Sequence, residues 1–129
     1  MREQSHYNQP TDDVLREINE LIALKRNGKF IEANRRYNIL YNQEKEDSHN
    51  APYVSKSWAK VLLCLGEYDR AESMMRTAST MFKLSGNDEE SWQCAEQAQT
   101  IRNRNSNSKD FIDYVRSASG GSLSYPINF

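Results

Sequence analysis

Apolar residues recur along this chain at intervals of three and four, broken by short polar or glycine-containing stretches, and that spacing predicts a succession of amphipathic helices. Val14, Leu15, Ile18, Leu21, Ile22 and Leu24 form a first, broad apolar face that stops at Gly28. Thr11 stands where an N-cap is needed, with Asp12 and Asp13 next to it at the positive end of the helix dipole. Phe30, Ala33, Tyr37, Leu40 and Tyr41 mark a second helix, which fades through QEKED into a turn at SHNAP. A third carries Val54, Trp58, Val61, Leu62 and Leu65; Asn50 is placed to cap it, Pro52 is tolerated in its first turn, and Gly66 ends it. Tyr68, Ala71, Met75, Ala78 and Phe82 mark a fourth, widened by Met74 and Met81 and broken at Ser85, Gly86 and Asn87. Asn87 with Glu90 three places on opens a fifth, holding Trp92, Ala95, Ala98 and Ile101 before its pattern dissolves in RNRNSNSK. Residues 110–118, with Phe111, Ile112, Tyr114 and Val115, are a candidate sixth helix. The expected organisation is one all-α domain over residues 11–118, with residues 1–10 and 119–129 composed like flexible tails.

Composition makes that domain thin-cored. Of 129 residues only 37% are hydrophobic, and the mean hydropathy is −0.88, a balance that suits an elongated fold better than a compact one. Net charge is −1, so no global electrostatic attraction to nucleic acid or an anionic membrane is expected. The longest apolar run, VLLCL, falls far short of the roughly 18 residues of a membrane span, and the N-terminus has no apolar stretch. A cytoplasmic chain is the expectation. Cys64 and Cys94 fit no metal or CxxC spacing and read as small buried hydrophobes with free thiols, a disulfide between neighbouring helices being the alternative. His6 and His49 accompany no nucleophile or carboxylate set, and no Gly-rich phosphate loop occurs, so neither catalysis nor a cofactor nor a metal is expected.

One spacing goes beyond amphipathicity. A separation of 38 residues relates Gly28 to Gly66, Phe30 to Tyr68 and Ala33 to Ala71, which implies a repeated helix-turn-helix unit. Gly permits a sharp turn at positive φ, the aromatic fills the wedge between the two helices, and Ala lets the second approach its neighbour. In LGEYDRAE and NGKFIEAN the sequence resembles the tetratricopeptide repeat family. Trp58, Ala59 and Leu62 upstream and Ala78 downstream match further positions of the second unit, whereas Glu20, Leu21, Leu24 and Leu40 depart from them in the first. The family period is roughly 34 residues, so each unit here is about four longer. The resemblance covers about residues 12–104, two pairs and the first helix of a degenerate third, and implies five to six helices stacked as a short right-handed superhelix.

The resemblance further implies a non-catalytic adaptor or chaperone-like subunit that binds a partner protein or peptide in a concave groove. The groove positions it suggests are Ile18, Ile22, Lys25 and Arg26 on the first helix, Tyr53, Lys56 and Lys60 on the third, and Gln93 and Gln97 on the fifth. Lys56 and Lys60 lie one turn apart and favour a partner with some acidic character. Ile18 and Ile22 stand where members that clamp a C-terminal carboxylate use Lys and Asn, so that clamp is not expected. The competing reading is self-association, with Tyr125, Pro126, Ile127 and Phe129 as an apolar tail for a groove. A nucleic-acid reading would rest on Arg35, Arg36, Arg102, Arg104 and Lys109, a small cluster that nearby acidic runs dilute.

Overall fold

A computed structural model describes residues 9–106. Those residues form five helices, α1 (Asp12–Arg26), α2 (Phe30–Glu44), α3 (Ala51–Cys64), α4 (Tyr68–Leu84) and α5 (Asp88–Ser106), and no strand. The candidate sixth helix and the apolar C-terminal residues lie outside the described residues.

Three of the four connections share one turn. Gly28, Gly66 and Gly86 have φ of +77°, +78° and +87°, and each stands just past the end of its helix. In each, the amide after the glycine donates to a carbonyl five residues back: Lys29 to Leu24 at 2.9 Å, Glu67 to Leu62 at 2.9 Å and Asn87 to Phe82 at 2.8 Å. The glycine amides themselves donate three residues back, Gly28 to Lys25 at 3.0 Å, Gly66 to Leu63 at 3.0 Å and Gly86 to Lys83 at 3.1 Å. This paired pattern satisfies helix-end carbonyls and requires a left-handed residue, which explains glycine at all three positions.

The fourth connection corrects one expectation. Asn50 stands at the N-cap position of α3 but makes no side-chain cap bond, and its backbone is already helical, with φ −86° and ψ −35°. Asp47 holds the turn instead, its Oδ1 accepting the amides of His49 at 2.8 Å and Asn50 at 3.0 Å. The freed Asn50 side chain is buried and joins distant segments, accepting from the Thr11 amide at 2.9 Å and donating to Thr11 Oγ1 at 3.1 Å. Thr11 therefore occupies the cap position of α1 without a side-chain cap bond. Asn87 does cap α5, accepting the Glu90 amide at 3.3 Å.

Successive helices pack as antiparallel hairpins, and α1 also touches α3. Cross-links tie neighbours together: Arg36 of α2 reaches Glu17 and Glu20 of α1, Ser55 of α3 donates to the Met74 carbonyl of α4 at 2.7 Å, and Ser79 of α4 donates to the Ser91 carbonyl of α5 at 2.7 Å. Helix α3 lies between others and is the most buried, with Val54, Ala59, Val61 and Leu62 fully enclosed. Ala33, Ala71 and Ala78 are also fully enclosed, as close helix approach demands. Phe30 and Tyr68 are only half-buried, so the turn aromatics border the wedge more than they fill it.

Two further expectations change. Trp92 is 61% exposed, and the inward face of α5 is Ser91, Cys94, Ala98 and Ile101. The two stripes start one residue apart, about 100° of helix, and the Ser79 bond to the Ser91 carbonyl accompanies the second. Cys64 is exposed, unlike the buried Cys94; both are free thiols. Among the described residues no helix is long and apolar enough to cross a membrane.

Candidate functional site

Because neighbours alternate in direction, α1, α3 and α5 run parallel, and side chains from all three meet on one face. At its start Thr11 meets Asn50. Further along, Lys56 Nζ of α3 lies 2.8 Å from Glu90 Oε1 of α5, with side chains 20% and 28% exposed. One turn on, Lys60 is half-buried and senses Lys56, Lys25 of α1, and Cys94 and Glu90 of α5.

The expected groove residues divide. Ile18 belongs to the core at 5% exposure and is not free to line a groove, because its stripe packs inward with Val14 and Leu21. Ile22 is half-buried against that core, and Arg26 is exposed. Tyr53 is half-buried, its ring edge-on to Phe82 at 4.9 Å and to His49 at 6.0 Å. Gln93 donates to Glu89 at 3.4 Å. Gln97 Oε1 is buried with no hydrogen-bond partner among the described residues. The charges of Lys56 and Lys25 thus act on Lys60, and that of Glu90 acts on both Tyr53 and Lys60.

Electrostatics separate the two ends of this face. Burial pushes the Lys60 ammonium below its ordinary pKa, and the like charges of Lys56 and Lys25 push further. Burial also raises the Cys94 thiol, to about 11, and raises Cys64, where Lys25 pulls the other way. Tyr53 is raised by burial and then by Glu90. Lys25 and Lys60 have no direct ion pair among the described residues. Residue pattern alone misses Glu90, which reads as a helix-start charge, and the two thiols. The parallel register of α3 on α5 is the signal that brings them in.

Elsewhere the basic residues are partly committed: Arg36 is held by Glu17 and Glu20, both at 3.0 Å. The described residues contain no group of three His, Cys, Asp or Glu able to hold a metal ion. No protein-family model, curated protein or solved structure matches this chain.

Proposed function

We propose that this chain is a non-catalytic, tetratricopeptide-like interaction module of the cytoplasm that receives a segment of a partner protein on the face shared by α1, α3 and α5. The observation that carries this is Lys60: a half-buried ammonium beside two other lysines and without an ion pair among the described residues. Desolvating a charge without a counter-ion is unfavourable, so the position fits a face completed by an acidic group from elsewhere. Half-buried Ile22 of α1 and Tyr53 of α3 leave some apolar area on the same two helices. An amphipathic segment with acidic character matches both.

Affinity capture from native extract with the wild-type chain and with Lys60→Glu tests this. A protein retained by the first and lost by the second, at equal helicity, supports it. Equal retention by both removes it. Self-association is favoured as a second reading by exposed Trp92 and Leu84, at 61% and 82%; Trp92→Ser converting an oligomer to a monomer in light scattering would establish it.

A further inference from the structure

The turn between α1 and α2 carries a chemistry independent of any partner. Asn27-Gly28 is the only Asn-Gly pair in the sequence, and both residues are exposed. The turn itself does not require the carboxamide. At the matching place before Gly66 and Gly86 stand Leu65 and Ser85, on nearly the same backbone: φ −88° and ψ 8° at Asn27, −86° and −2° at Leu65, −92° and 6° at Ser85. What asparagine adds is an electrophilic Cγ within ring-forming reach of the next amide nitrogen. Glycine leaves that nitrogen unshielded by a side chain.

We propose that Asn27 is a deamidation site whose reaction is gated by opening of this turn. The Gly28 nitrogen attacks Asn27 Cγ, forming a C–N bond; the carboxamide C–N bond breaks, and ammonia leaves with the proton given up by the Gly28 amide. Water then opens the cyclic imide at either carbonyl, giving aspartate or isoaspartate. The closed turn blocks the first step. With ψ at 8° the Gly28 nitrogen eclipses the nitrogen of Asn27, whereas ring closure needs it to eclipse Cβ. Rotating it there breaks the bonds from Gly28 to the Lys25 carbonyl at 3.0 Å and from Lys29 to the Leu24 carbonyl at 2.9 Å. Either product then places a carboxylate at the C-terminal end of α1, where the helix dipole is already negative. Isoaspartate also adds a methylene to the main chain, so the original turn cannot re-form.

The test incubates the full chain in mildly alkaline buffer, folded and in guanidinium chloride, and follows each asparagine by peptide mass spectrometry with isoaspartyl methyltransferase labelling. In the unfolded chain Asn27 should convert before any other asparagine. In the folded chain it should convert at least roughly tenfold more slowly, since the turn must open first. Hydrogen exchange at the Lys29 amide measures that opening separately, and its protection should match the factor by which folding slows the reaction. Asn27→Ser, which copies the turn at Ser85, should abolish labelling at this position with unchanged helicity. Wild-type chain aged until Asn27 has converted should unfold at lower urea than fresh chain. Equal rates folded and unfolded, a slowing unrelated to Lys29 protection, or earlier conversion of another asparagine in the unfolded chain overturns the proposal.

Discussion

Replacing Gly66 with Ala isolates the turn between α3 and α4. Gly66 sits at φ +78°, and a Cβ added there meets nothing within 4 Å. No clash contributes, so the penalty is that of the backbone alone: roughly 1–2 kcal/mol for an L residue held in the left-handed region. Stiffening the unfolded chain returns about 0.4–1 kcal/mol. The net expectation is a loss of about 1 kcal/mol, or a fall of roughly 4–8 °C in Tm for a domain of this size. Urea unfolding should show a lower midpoint at an unchanged m value, because the surface exposed on unfolding is the same. Gly28 and Gly86 have the same sign of φ and the same open surroundings, so Ala at either should behave alike. Asn at 66 should recover part of the loss, since it tolerates this conformation better. D-alanine, introduced by semisynthesis, should recover all of it. If L-alanine proves neutral, or D-alanine is as damaging as L-alanine, the left-handed turn is not why glycine stands there.

The remaining expectations concern the packing and the lysine face. Lys60→Met should raise stability at neutral pH: a lysine pKa lowered by folding means the ammonium is less favourable in the fold than in the unfolded chain. That gain should shrink as pH rises toward the ordinary 10.5, and urea melts at two pH values would check it; destabilisation at neutral pH would refute it. A double-mutant cycle with Lys56→Met and Glu90→Gln should give a coupling of about 1 kcal/mol, because the pair is largely enclosed, while the same cycle on exposed Lys83 and Asp88 should give nearly none. Iodoacetamide followed by mass spectrometry should label Cys64 well before Cys94, which is buried with a raised pKa. Ala71→Leu should destabilise by about 1–3 kcal/mol in thermal melts, since Ala71 is fully enclosed between helices.

The helices are legible in the sequence because their apolar stripes run through Leu21, Tyr37, Leu62, Met75 and Phe82 at helical spacing, and all five of these are enclosed in the core. The turns at Gly28 and Gly66 are legible from their common offset. Gly86 makes the same turn but escapes that pairing, because no aromatic and alanine follow it at the matching places. Asp47 and Asn50 are both good capping residues, and only the backbone path decides between them. Hydrophobicity alone puts Trp92 inward, yet the side of α5 that meets α4 is the one carrying Ser91 and Cys94. Lys56 and Lys60 can be paired from their spacing within one helix. Glu90 cannot, since its role depends on how α5 lies along α3, a tertiary register that no local pattern encodes.

The contrast within one face is what gives Lys60 its meaning. Toward the start of α3 the polar groups satisfy one another: Asn50 with Thr11, Lys56 with Glu90, and the Glu90 amide with Asn87. Toward its end Lys25 and Lys60 have no ion pair and Gln97 Oε1 no hydrogen-bond partner among the described residues. Both ends are built from the same three parallel helices, so loose pairing cannot be a general property of this surface. Buried polar groups left unmatched are unfavourable and tend to collect where function requires them. A fold selected for stability alone would tolerate methionine at position 60, so the lysine there is consistent with the acidic partner proposed above.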